Sequence, residues 1–322
     1  MNGDKRIRGF EEKYLKSVEK LDESAIINSN VRLSAAQNNE ECEYMIYAIA
    51  YGNDVFAKSR DYNLKTAVKK GKADKTIAYS PKDIDESFAE QNKDILSQRR
   101  GNGYWLWKPY FILKTLNQIE DGDYLMYADS GAVYQNPIQT LIDCMEQNGQ
   151  NILCFYIGST EKYWSKRDAF ILLDCDKPEY TDTSQRLGGF VLCKNCEQTR
   201  AIVAEWLGFC TDRRIITDDE NTLGLPNYDG FQGNRHDQTC WSLITKKHGI
   251  PAFRDPSQFG EKTVLPEEIK RLSTYPTIFF LHRTPDMSNG FKLFLHKIKS
   301  RIFVGRGFLA PFLKIYYNLK NR

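Results

Sequence analysis

The sequence predicts an α/β fold, a mixed and mostly parallel sheet with helices on both faces, and three observations carry that prediction. Strand-like and helix-like segments alternate from residue 43 to residue 249, the order that parallel strands with crossover helices produce. No internal repeat or low-complexity linker interrupts this span, so residues 41–290 read as one domain. The chain has 322 residues, 41% of them hydrophobic, which is enough to bury a large core.

Each element has its own signal. Residues 1–40 read as an extension: a charged helix over 10–24 with Phe10, Tyr14 and Val18 on one face, then an irregular stretch over 25–40. "EYMIYAIAYGND" (43–54) is a buried strand running into a Gly-Asn-Asp turn. A helix over 55–70 follows, with Gly71 as its expected C-cap. "KTIAYS" (75–80) is a second strand, closed by Pro81. In "RRGNGYWLWKPYFILKTLNQI" (99–119) the second half has helical apolar spacing. Tyr124–Ala128 is an apolar, aromatic strand bounded by Asp-Gly-Asp. Beyond it come a helix over 137–148, strands over 151–158 and 186–195, and helices over 197–210 and 236–249.

The bulk numbers exclude several classes. No run of eighteen apolar residues is present, so no membrane-spanning helix is expected. The first residues lack the apolar core of a secretory signal, and the eight cysteines are scattered, so reduced thiols in a cytoplasmic protein are expected. Cys193 and Cys196 form one CxxC without the second pair that a structural zinc site requires. The formal net charge of +3 is unevenly placed. Residues 291–322 carry eight Lys and Arg with no Asp or Glu, which leaves −5 for the rest. Interleaved Phe, Ile and Tyr make this tail a basic amphipathic helical segment suited to an anionic membrane surface. Nucleic acid is the rival partner for such a patch, and its apolar content favours the membrane.

Candidate chemistry collects at four places. In open α/β sheets ligands bind outside the carboxyl ends of the strands. There the strand 124–128 ends on Asp129, followed by the small residues Ser130 and Gly131. Asp129 either caps the turn or faces a hard cation and a phosphate. Arg99, Arg100, Trp105, Trp107 and Lys108 lie with two glycines just before a helix, a set that suits a diphosphate and offers flat rings to a base or sugar. Gly188 and Gly189 open a strand, either as a bulge or to let a ligand approach the backbone. His236, Asp237 and Gln238 begin a helix, with Asp237 as an N-cap or as part of a cluster aimed at sugar hydroxyls.

The order of "AYGND", "GNGYWLWKP", "DGDYLMYADSGA", "GGFVLCKN" and "RHDQTCWSLI" resembles bacterial nucleotide-sugar-dependent glycosyltransferases of the GT-A fold, the kind that build capsule and lipopolysaccharide. It is more distantly similar to the glycogenin and lipopolysaccharide galactosyltransferase group. The resemblance covers about residues 43–285. It implies a single GT-A domain that moves a hexose-type sugar from a nucleotide donor, UDP favoured, to a saccharide acceptor, lipid-linked at the inner membrane face. It implies donor contacts from Tyr51, Gly52, Arg99, Arg100, Trp107, Lys108, Ser130 and Gly188. Gly189, His236 and Asp237 would place the acceptor. Retention of anomeric configuration is implied by the Gly-Gly and His-Asp-Gln placements, and Asp237 is the candidate base if the reaction inverts. The Asp-x-Asp motif of that fold holds Mn²⁺ or Mg²⁺. Here only Asp129 of it is present, matching either aspartate of the motif, with Ser130 and Gly131 following it, and His282 in "FFLHRT" is the further ligand the resemblance suggests. Two rivals stand beside this reading. A sugar-nucleotide-forming nucleotidyltransferase would carry a Gly-rich basic loop after the first strand, which "AYGNDVFAKS" lacks. A non-catalytic carbohydrate-binding or assembly protein would accommodate the incomplete motif.

Overall fold

The computed structural model describes residues 44–303. The extension 1–40 and the tail beyond residue 303 therefore lie outside the described residues. In chain order the principal elements are β1 (Ile46–Tyr51), α1 (Ala57–Thr66), β2 (Lys75–Tyr79), α2 (Trp107–Leu116), β3 (Tyr124–Ala128), β4 (Ala132–Tyr134) and α3 (Gln139–Gln147). They continue with β5 (Ile152–Thr160), β6 (Ser184–Lys194), α4 (Glu197–Cys210), α5 (Asp237–Lys247), β7 (Ala252–Arg254), β8 (Phe279–Leu281) and α6 (Gly290–Phe303).

Six strands form one sheet in the order β2-β1-β3-β6-β5-β7, while β4 and β8 pair as a separate ribbon. The β1–β2, β1–β3 and β5–β7 pairs are parallel; β6 runs antiparallel between β3 and β5. The expected mixed, mostly parallel sheet is thus found. From β1 the chain crosses to β2 on one side and returns to β3 on the other, so the strand order reverses beside β1. Such a reversal leaves a crevice outside the carboxyl ends of β1 and β3.

β3 is buried along its whole length because it is central and covered on both faces. Its side chains alternate between two cores. Leu125 and Tyr127 join Trp107, Phe111, Trp206 and Trp241 under α2, α4 and α5. Tyr124, Met126 and Ala128 join Leu141, Met145 and Phe279 on the other face. Asp123, in the Asp-Gly-Asp turn, accepts a hydrogen bond from the Met45 N–H at 2.8 Å and so clips the start of β3 to that of β1.

One local expectation is corrected. Gly71 does not cap the first helix, which continues as a wider turn over Ala67–Gly71 and ends on Lys72 in the left-handed region. Gly71 is glycine for another reason: a Cβ there would lie 2.7 Å from the Tyr134 ring.

The basic tail begins as α6. Lys297 donates to Gln135 Oε1 at 2.6 Å and lies over the Phe280 ring, which fixes one side of the helix to β8. On the other side Phe291 (69%), Phe294 (58%) and Leu295 (42%) remain exposed. Among the described residues no helix is long and apolar enough to cross a membrane.

Candidate functional site

The residues at the crevice are set by how three strands end. β1 ends on Tyr51 and Gly52, and β3 on Asp129. β6, running the other way, brings Gly188 and Gly189 to the same edge. The Asp129 N–H donates to the Gly189 carbonyl at 3.0 Å, and a Cβ on Gly189 would come within 3.1 Å of the Asp129 carboxylate. Gly188 makes room for α5, since a Cβ there would touch Gln238 at 3.0 Å. The Gly188 N–H donates to Gln238 Oε1 at 2.9 Å, and Gln238 Nε2 donates to Gln185 at 2.7 Å. The two glycines therefore serve close packing of β6 against Asp129 and α5.

Asp129 is presented, not hidden: its side chain is 42% exposed. Behind it stands Lys108, only 3% exposed, in the first turn of α2. Its Nζ lies 2.7 Å from Asp237 Oδ2 and 3.7 Å from Asp129 Oδ1. Tyr127 donates its hydroxyl to Asp129 Oδ1 at 2.5 Å. Burial alone would lower the Lys108 pKa, but Asp129 and Asp237 outweigh it and the net shift is upward, so the ammonium persists at neutral pH. Burial pushes the Asp237 carboxyl up to about 6 against the pull of Lys108, which leaves the pair ionised at pH 7. Burial together with Asp129 raises the Tyr127 hydroxyl well above its usual range and keeps it a donor.

The stretch before α2 is not a simple helix entry. Gly101, Asn102, Gly103, Tyr104 and Trp105 all have positive φ, between 51° and 95°. Left-handed backbone costs non-glycine residues roughly 1–2 kcal/mol each, and such strain persists only where the surroundings impose it. Here Asn102 donates to the Tyr51 hydroxyl, and Trp107 Nε1 donates to the Gly101 carbonyl at 2.9 Å. The turn also sets Trp105 against His236, with ring centres 5.3 Å apart and planes 19° from parallel.

His236 itself has φ 57° and ψ −118°. Its Nδ1–H donates to the Ile216 carbonyl at 2.8 Å, which leaves the Nε2 lone pair buried without a hydrogen bond and 3.7 Å from Asp218. Burial lowers its pKa, so the ring is neutral. Asp218 also pairs with Arg100 at 3.0 Å, while Arg99 is exposed at the rim.

Several expected contacts change meaning. The Trp107 face is covered by Tyr51, with centroids 3.7 Å apart, so neither ring offers a platform to a ligand; the half-buried Trp105 is the ring at the rim. Gly52 is buried beneath Arg60, whose Cβ would be 3.0 Å from a Cβ at this position. Asp237 is only 3% exposed, and its role is to hold Lys108, which sets it apart from a base open to substrate. Ser130 is half-buried beside Asp129. Asn63 was not anticipated. Buried on α1, it donates to the carbonyls of Asp129 and Ala132 at 3.2 and 2.9 Å and fixes the turn that aims Asp129. A polar residue on the buried face of α1 is the signal that would have found it.

The donor set does not fit the divalent cation that an Asp-x-Asp edge would hold. A Cβ on Gly131 would come within 3.2 Å of the Arg283 Cα, so the chain after β8 crowds any side chain at this position. His282 is held there by backbone bonds, its N–H donating to the Gly131 carbonyl at 2.8 Å. Its Nδ1 lies 2.9 Å from Thr284 Oγ1 and 3.1 Å from the Thr284 N–H, which fixes the ring against that turn. Among the described residues no three His, Cys, Asp or Glu side chains are grouped to share an ion.

Comparison with known proteins was informative on one side only. No protein-family model and no curated protein matches the chain. Three solved structures similar to it are glycosyltransferases. WbbM, a bifunctional glycosyltransferase, shares 10% identity over 64% of this chain and 38% of its own, with a TM-score of 0.38. Mouse xyloside xylosyltransferase 1 shares 10% over 74% and 97%, at 0.38. The galactosyltransferase LgtC, solved with donor and acceptor sugar analogues, shares 11% over 73% and 86%, at 0.43. This chain thus spans little more than a third of WbbM.

Two predictions arise here. Gly131→Asp, which restores a second carboxylate in sequence, is expected to destabilise the fold by about 1–3 kcal/mol through overpacking against Arg283. It should create no Mn²⁺ binding by calorimetry. The second concerns acid. Burial, with a contribution from His296, lowers the His282 pKa from 6.5 to about 4. Between those values the unfolded chain takes up a proton that the folded chain refuses. Stability is therefore full above the ordinary histidine pKa and is lost as pH falls towards 4, by about 1.4 kcal/mol per pH unit over that window. Denaturant titrations of His282→Gln should show a shallower loss over the same window.

Proposed function

We propose that the protein is a glycosyltransferase that moves a sugar from a nucleoside-diphosphate donor to a saccharide acceptor. One observation carries the reading: a buried ammonium, Lys108, is locked between Asp129 and Asp237 at the switch point of the sheet, with the Asp129 carboxylate open to the crevice. Fixed opposite charges suit a reaction that separates charge, positive on the sugar ring and negative on the departing diphosphate. In the transfer the C1–O bond to the diphosphate breaks and its electron pair stays on the phosphate oxygen. The acceptor oxygen bonds C1 and loses its proton. With retention, which the sequence resemblance favours, that proton passes to the departing phosphate oxygen on the same face. Asp129 meets the positive charge on the sugar, Arg99 and Arg100 lie at the rim for phosphate, and Trp105 offers a ring edge to the acceptor.

UDP as the nucleotide, a hexose as the sugar and a lipid-linked acceptor in capsule or lipopolysaccharide synthesis are the finer parts of this proposal. The apolar stripe of α6 and the basic tail support a cytoplasmic protein held at the inner membrane face. Phe291→Ser/Phe294→Ser in the full chain should weaken sedimentation with anionic vesicles on the order of tenfold, because each Phe contributes apolar burial that salt does not screen. Unchanged sedimentation would remove the membrane from the proposal.

The crowding at Gly131 also favours a second reading, a saccharide-binding protein without turnover. A panel of nucleotide sugars separates the two. Transfer predicts a higher melting temperature with the right donor and slow release of free sugar from it; binding without turnover predicts stabilisation by saccharides alone.

A further inference from the structure

Resting on the glycosyl-transfer reading, we propose that the cation serving the reaction is the Lys108 ammonium, and that donor binding and turnover need no divalent metal. The Lys108 stem is packed in the core at the first turn of α2, and the ammonium lies over the Tyr127 ring at 5.5 Å and beside Trp107 at 6.0 Å. Two carboxylates flank it, Asp237 at 2.7 Å and Asp129 at 3.7 Å. A covalently tethered positive charge thus sits between the two acids.

Independent features close the alternative. The backbone at Arg283 crowds Gly131, where a side chain would need the chain after β8 to shift. Tyr127 occupies one oxygen of Asp129. The helix start at Trp107 adds positive dipole next to the same ammonium. Positive charge at this edge is supplied by the chain, through Lys108 and the start of α2. Asp129 is then free to face the sugar, because no metal claims it.

The test uses the full chain and two probes. UDP, GDP and TDP are titrated calorimetrically, and release of sugar from the matching nucleotide sugars is followed, each in EDTA and in Mn²⁺. The expected result is affinity and turnover that differ less than twofold between the two conditions. Lys108→Met should lose at least 100-fold in turnover, with no recovery on adding Mn²⁺, and Lys108→Arg should recover part of it. Binding or turnover abolished by EDTA and restored by Mn²⁺ would overturn the inference while leaving glycosyl transfer in place. Failure of every nucleotide to bind in either condition would remove both. If Lys108→Met does not fold, the comparison of EDTA with Mn²⁺ on the unaltered chain still decides.

Discussion

Replacing Lys108 by methionine is expected to lower turnover at least 100-fold and to destabilise the fold by about 3–5 kcal/mol. Methionine keeps the length and apolar character of the stem and removes only the charge. Two carboxylates then share a crevice without a counter-ion, and Asp237 is left buried and unpaired. Removing one partner of a buried pair is costly in this way, whereas removing both is not. Lys108→Met/Asp237→Leu should therefore regain much of the stability and none of the activity. Denaturant melts and sugar-release assays on the two variants read the two quantities separately. If the double variant were as unstable as the single one, the loss would come from packing and not from the stranded charge.

Asp129→Asn is the second large effect, with the opposite distribution. The carboxylate is half exposed and its turn is held by backbone and Asn63, so stability should change by no more than about 1 kcal/mol. Turnover should fall about 10²–10³-fold, the scale lost when one preorganised electrostatic contact to a reacting centre is removed. Tyr127 can still donate to the amide oxygen, so the geometry is kept while the charge is lost. Full activity in this variant would reduce Asp129 to a turn residue.

Most of the sheet was legible because its strands are long and apolar. Tyr124–Ala128 and the helix Glu197–Cys210 lie where periodicity places them. The strands β4, β7 and β8 were not legible, since three residues are too few to show a period of two. Their absence from the reading hid the roof over Gly131, which depends on β8 returning beside β4. At the site, Asp129, Lys108 and Asp237 were each visible as charged residues at element ends, but the Lys108–Asp237 pair joins positions more than a hundred residues apart. The aromatic residues misled for a physical reason. Trp107 read as a free face for a ligand, yet the left-handed turn at 101–105 folds it onto Tyr51, and no local propensity predicts five positive φ values in a row. Asn63 shows the converse, a helix residue whose function lies wholly in the backbone it holds.

A nucleotide-linked sugar is expected to bind at the carboxyl edge of β1 and β3. Hydrogen exchange of backbone amides, with and without the nucleoside diphosphate that binds best, tests it most directly. The account predicts slower exchange over residues 99–108, 129–131, 187–190 and 235–238. It predicts no change around the separate concavity of about 450 Å³ lined by Arg254, Gly260 and Lys270. Protection at that concavity, with residues 99–108 and 129–131 unaffected, would contradict the account.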